Sequence, residues 1–175
     1  MPPFPLGQCP LPPSNIVIEN AKFVYNPNFE GREERFNEAG DRYFNVRIPD
    51  NIVQAVEKDG WNVKWTKPSK TASPQQAAEH VAEPYLEVAI GFKYRPANIS
   101  VWEDGKETLL TVDEAHGIDT VKLVDKMQFE TFDVVIRGRN WENDNGCGIK
   151  AWLQTFVGVV ETDDIQRKYA RMREN

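Results

Sequence analysis

The chain has 175 residues, of which 40% are hydrophobic, 27% charged and 11% aromatic, with five Trp and a formal net charge of −6. That length suits one domain able to bury its own core, no apolar run is long enough to span a bilayer as a helix, and the acidic balance excludes a uniformly basic nucleic-acid binder. Cys9, Cys147, His80 and His116 lie apart, without C-x-x-C or ligand spacing, so zinc binding and His- or Cys-centred catalysis are not expected and separate thiols are the default reading.

Residues 1–13 hold six prolines and no basic stretch leading into an apolar run. They read as a flexible, polyproline-like tail rather than a signal peptide. From residue 15 the hydrophobic period is mostly two. Residues 15–25 are β-rich, with a slip of phase at 20–22 that suggests a bulge, and 26–40 are a long charged loop. In 43–48, Phe44, Val46 and Ile48 share one side. Asp50 is expected to cap a short helix whose apolar face is Ile52, Val53 and Val56, and Gly60 to end it. Residues 61–66 read as a strand with Trp61, Val63 and Trp65 in the core, and 67–83 as a polar loop or weak helix.

The clearest strand is 85–94, with Leu86, Val88, Ile90, Phe92 and Tyr94 in step. Asp104-Gly105 predicts a type I′ hairpin between 99–103 and 106–112, with Glu103 opposite Lys106. Residues 113–126 are acidic and hold a helical turn. Strands are expected at 131–137 and 148–160, joined by a loop over 138–147, with the core side of the second on odd positions from Ile149 to Val159. Thr162 is placed to cap a C-terminal helix with Ile165, Tyr169 and Met172 on one side. About eight short strands with one or two small helices give a β-dominated barrel or sandwich.

No enzyme motif is present. The glycine-rich stretch 138–150 lacks P-loop spacing. Residues 143–145 read as a turn, since no Glu closes a calcium loop there. The pairs Glu33-Glu34 and Asp163-Asp164 are sequence neighbours and do not share one face.

The strand faces opposite the core are more informative. They gather Arg47, Lys64, Lys93, Arg95, Arg137 and Lys150 against Glu87 and Asp133, in a chain with 21 basic and 27 acidic residues. Tyr43, Tyr85 and Trp152 add rings to those faces, and Arg139 and Trp141 extend them. Cations that track phosphates and rings that stack on bases are what single-stranded nucleic acid requires. Small Ala89 and Gly91 leave room for close approach. The plainer alternatives are solvation and edge protection for the cations, and packing of Trp152 beneath the C-terminal helix. Phe29 and Phe36 are either loop anchors or further stacking partners.

The succession NIVIENAKFVYNPNFEG, DRYFNVRI, DGWNVKW, YLEVAIGFKYRPANISV and FDVVIRGRNWENDNGCGIKAWLQTFVGVVE resembles a family of small bacteriophage single-stranded DNA-binding proteins of OB-fold type, over about residues 15–161. The most specific parts are NIVIENAKF, DGWNVKW, and Arg137 with Asn140-Trp141-Glu142 followed by residues 148–153. The resemblance implies an all-β, OB-fold-like barrel with one or two short helices that binds single-stranded DNA without base specificity. It further implies no catalysis, no cofactor and no metal, and a role in phage DNA replication or recombination in the cytoplasm of the infected bacterial host. The expected partners are single-stranded DNA, further copies of the chain along it, and replication or recombination proteins, with no membrane.

The chain then divides into a Pro-rich tail (1–14), the DNA-binding domain (15–161) and a C-terminal helix (162–175). Tyr43, Tyr85, Trp141 and Trp152 are expected to stack on bases. Arg47, Lys64, Lys93, Arg95, Arg137, Arg139 and Lys150 are expected to meet phosphates. Residues 161–175 carry four acidic and four basic residues, unlike the acidic tails of many such proteins. The alternative reading is a non-enzymatic structural or assembly protein of a phage.

Overall fold

The computed structural model describes residues 3–162 and 164–174. Its strands are β1 (Ile16–Ile18), β2 (Arg42–Arg47), β3 (Lys64–Trp65), β4 (Pro84–Ile90), β5 (Asn98–Glu103), β6 (Lys106–Leu110), β7 (Val112–Asp113), β8 (Ile118–Asp119), β9 (Phe129–Asn143) and β10 (Gly146–Val160). The helices are α1 (Val53–Lys58), α2 (Pro74–Glu79) and α3 (Asp164–Glu174), with 3₁₀ turns at Glu114–His116 and Val121–Lys126.

β1 pairs antiparallel with β9, β9 with β10, and β2 with β4, while β10 and β4 run parallel. The ring closes just past β1. There the Val24 N–H donates to the Asn45 carbonyl and the Arg47 N–H to the Lys22 carbonyl. The cyclic order β1–β2–β4–β10–β9 is the five-stranded Greek-key barrel of the OB fold. The phase slip at 20–22 is thus a corner. Asn20 takes φ +51°, and the chain leaves β9 for β2.

The interior is built on phenylalanine. Phe29, Phe44 and Phe156 are fully buried; Phe29 stacks on Phe44 with centroids 5.3 Å apart, and Phe23 on Phe132 at 4.4 Å. Phe29 is therefore an anchor that pins the 26–41 loop to the core, whereas Phe36 at the loop tip is exposed beneath Arg35. The loop is further fixed by Asn28, whose Oδ1 accepts from the Gly31 and Arg32 N–H groups, and by Asp125, which accepts from the Phe29 and Glu30 N–H groups.

Several boundaries differ from the sequence expectation. Residues 138–147 are not a loop: β9 and β10 continue as one hairpin to a two-residue turn at Asp144-Asn145. The alternation of β10 does not persist either. A register shift between Leu153 and Thr155 inverts the strand, so Phe156 and Gly158 point inward while Thr155, Val157 and Val159 face out.

The strand expected at 61–66 shortens to two residues; Trp61 is core, as expected, but Trp65 is exposed. Asp50 does not cap α1, whose N-cap is Ile52 without a side-chain bond; it pairs with Arg47 instead. Within 67–83, α2 forms behind a Ser73–Gln76 capping box. The Glu103–Lys106 pairing across Asp104-Gly105 is as expected. The Thr162 cap expected for α3 borders residue 163 and lies outside the described residues.

Cys9 and Cys147, expected as separate thiols, form a disulfide. The Pro-rich segment expected to be a free tail is held along the β9–β10 hairpin. Phe4 and Cys147 exchange two backbone hydrogen bonds, and Asn140 Nδ2 donates to the Pro10 carbonyl.

Candidate nucleic-acid interface

Strand register places the outward side chains in rows. Tyr43 lies beside Ala89, Ala89 beside Trp152 and Trp152 beside Arg137. In the next row Lys150 lies opposite Arg139. Because the centre of this surface is Ala89 and Gly91, it is concave, and a groove of about 450 Å³ runs over it. Asn37, Gly40 and Asp41 of the 26–41 loop form one wall, Trp141 and Lys150 of the hairpin the other, and Trp61 part of the floor.

Trp152 and Trp141 are each positioned by a glycine. The Trp152 ring lies so close to β4 that a Cβ on Gly91 would stand 3.0 Å from it. Trp141 packs against Gly148 across the hairpin, where a Cβ would stand 2.9 Å from its Nε1. A methyl group at Gly148 would force Trp141 to shift, and one at Gly91 would require the Trp152 ring to give by a few tenths of an ångström. The Lys150 ammonium sits 4.7 Å from the Trp152 ring centroid, a cation–π contact. Trp152 is half-buried, and its Nε1–H has no acceptor among the described residues. That nitrogen is itself fully buried, and a buried donor left unmade costs free energy.

The electrostatics favour an anion on the hairpin side. Burial first, then the charges of Arg95 and Arg139, lower the Arg137 guanidinium from its usual value. Those three cations are therefore close enough to repel, and a polyanion relieves that repulsion. On the loop side Tyr43 is pushed up to about 12, by burial first and then by its hydroxyl's hydrogen bond to Glu34 at 2.8 Å. It is a neutral, oriented ring at any physiological pH.

Of the sequence-derived residues, Tyr43, Trp141, Lys150 and Trp152 line one groove, and Arg137 and Arg139 adjoin it by register. Arg95 joins that cluster through its charge on Arg137. Lys93 is exposed beside Tyr94. Arg47, Lys64 and Tyr85 form a separate row outside the groove lining. There Arg47 pairs with Asp50 and Glu83, and Lys64 with Glu87 at 2.9 Å, while Tyr85 meets Tyr25 edge-on.

Sequence reasoning missed Asn37, Asp41 and Arg42, because nothing in a charged loop says which part folds over a sheet. Asn62 carried a signal, an outward position in the 61–66 pattern. Arg42 is not free for phosphate: it donates to Asp119 through both terminal nitrogens and to the Phe29 carbonyl. Among the described residues no three His, Cys, Asp or Glu side chains group as a metal site, and no helix is long and apolar enough to cross a membrane.

Compared with known families, residues 7–175 match the family described as "Putative phage ssDNA-binding domain". The chain belongs to this family. It is a bacteriophage single-stranded DNA-binding domain, a binding protein rather than an enzyme. No curated protein matches the sequence. Among solved structures, the chain is similar to the single-stranded DNA-binding protein of bacteriophage Enc34. A C-terminal truncation of that protein is 10% identical, with 88% of this chain and 96% of that chain covered and a TM-score of 0.49. Its complex with ssDNA gives 10%, 88%, 97% and 0.48, and a further structure of the protein gives 12%, 85%, 82% and 0.43. The family assignment rests on the sequence match, and the barrel topology on this chain's own hydrogen bonds.

Proposed function

We propose that this phage DNA-binding domain holds single-stranded DNA in the groove over β2, β4 and β10, without base specificity, and so protects it during phage DNA replication or recombination in the cytoplasm of the infected cell. The observation that carries the reading is the convergence of Tyr43, Trp141, Trp152 and Lys150 on one concave surface, flanked by the Arg95, Arg137 and Arg139 cluster. Rings accept any base because every base has a π-face, and cations read only phosphate. In OB barrels this face and its bordering loops are the ones that bind oligonucleotides.

Trp152, Trp141 and Tyr43 stack on bases; Arg95, Arg137, Arg139, Lys150 and Lys93 follow the backbone. Arg47, Lys64 and Tyr85 contribute at the flank, and less, because acidic partners already neutralise the two cations. Residues 15–161 form the binding unit. The bacterial cytoplasm is reducing, and there the N-terminal arm stays in place through its backbone bonds to Cys147 and the Asn140–Pro10 contact.

The test is a titration of intrinsic Trp fluorescence with oligo-dT and with blunt duplex of equal length. Quenching that is strong, salt-sensitive and greater for the single strand supports the reading. No salt-sensitive change points to an assembly protein instead.

A further inference from the structure

Past the register shift, β10 reads Thr155-Phe156-Val157-Gly158-Val159-Val160, apolar on both faces. Strands of that kind are covered on both sides; here the outer side is only partly covered, with Val157 half-buried and Val159 exposed. Pairing sets Leu109, Ser100, Val157 and Asp133 in one outward row, with Ser100 buried between its neighbours, and Glu107, Trp102, Val159 and Thr131 in the next. A further row carries Val135 and Val17. Leu109 is 69% exposed, Val17 61%, Val159 38% and Trp102 37%. This is a contiguous apolar strip on the outer wall of the barrel, a feature that marks an interaction site. The charges on it, Glu107 and Asp133, are acidic, and at its hairpin end Glu103 and Asp104 outnumber Lys106.

The same chain carries the complement. Ile165, Tyr169 and Met172 recur at helical spacing on one side of α3 and are 68%, 53% and 63% exposed, an amphipathic stripe left open among the described residues. Lys168, Arg171 and Arg173 flank the stripe, and α3 as a whole has four basic and two acidic residues. Among the described residues, a basic helix with an open apolar stripe and a partly exposed apolar sheet face with an acidic rim thus stand on one molecule.

We infer that α3 of one copy docks on the outer β6–β5–β10 face of a second copy. The two surfaces differ, so the contact is heterologous. Each copy still presents a free helix at one end and a free face at the other, and the assembly grows head to tail. β10 carries both this face and, through Lys150 and Trp152, the groove, so neighbouring copies are joined by the same strand that lines the groove.

The test uses the full chain in DNA-free solution, so it stands apart from the DNA-binding reading. Sedimentation velocity of the wild type over a wide concentration range is expected to show mass growing with concentration. A Tyr169→Glu/Met172→Glu variant and a Leu109→Lys/Val159→Lys variant each keep the core intact, checked by circular dichroism. Each is expected to weaken self-association at least about tenfold, the effect of losing one well-packed interface anchor. Mixed one to one, the two variants are expected to form dimers and nothing larger, since one supplies an intact face and the other an intact helix. Three results overturn the inference: a wild type that stays monomeric at high concentration, variants that associate as the wild type does, or a mixture that fails to dimerise.

Discussion

Trp152 is held from two sides, by the bare backbone of Gly91 and by the Lys150 ammonium, and its indole N–H is the one unmet buried donor among the described side chains. Trp152→Ala is expected to cost about 1–3 kcal/mol of oligo-dT affinity, the usual worth of a stacked base. Because the ring is half-buried, about 1–3 kcal/mol of stability goes with it. Urea denaturation separates the two losses, since affinity measured well below the transition reports only the folded protein. A second residue-level case is Asp119. Burial raises its pKa, but the hydrogen bond from Arg42 and the Lys122 N–H outweigh burial, and the carboxyl titrates below its usual value. A pKa lowered by folding stabilises the protein above the unfolded value of about 3.9, and that stabilisation is lost as pH falls through the folded value. Thermal melts taken from neutral pH down through that range are expected to show a steeper acid limb for the wild type than for Asp119→Asn. The variant is expected to be less stable at neutral pH by about 1–2 kcal/mol, because Arg42 loses its partner.

At the scale of elements, β10 is two half-strands of opposite phase. Phe156→Ala removes a fully buried ring and is expected to cost about 3–5 kcal/mol. Val157→Thr, on the outer face, is expected to stay within about 1 kcal/mol. Uninterrupted alternation from Ile149 gives the opposite order, so chemical denaturation of the pair reads the register directly. The N-terminal arm is the second element-level device. Its disulfide closes a sequence separation of 138 residues, and cross-links of long loops typically add about 2–4 kcal/mol. Adding dithiothreitol is expected to lower the melting temperature of the wild type and leave Cys9→Ser unchanged.

For the whole molecule, a net charge of −6 means that DNA affinity depends on a local cation cluster against an unfavourable overall field. The logarithm of affinity is expected to fall linearly with that of salt, with a slope of about −0.7 per phosphate contact on single strands. Arg137→Ala/Arg139→Ala is expected to flatten that slope by about 1–2 phosphate contacts. Equal or tighter binding of blunt duplex at the same salt contradicts a groove built for splayed bases, since pairing hides the faces on which the rings stack.

What the sequence determined by itself was local and periodic. Phe44, Val46, Leu86 and Val88 alternate because each strand has one dry face, and Asp104-Gly105 forces a hairpin because both residues accept positive φ. The outward cations and rings of β4, β9 and β10 were legible for the same reason, as the faces left over once the core is assigned. Tertiary structure decided everything that depends on where the chain turns or which strands meet. The bulge after Leu153 swaps core and surface in mid-strand, and no change of composition announces it. The continuation of β9 and β10 through a glycine- and asparagine-rich stretch depends on cross-strand pairing and on Trp141 seating on Gly148. The choice between Phe29 as anchor and Phe36 as exposed tip follows from Asn28 and Asp125 folding the loop onto the barrel. Cys9 meets Cys147, and Tyr43 meets Trp152 across Ala89, because barrel closure brings together segments more than a hundred residues apart, and periodicity carries information only along the chain.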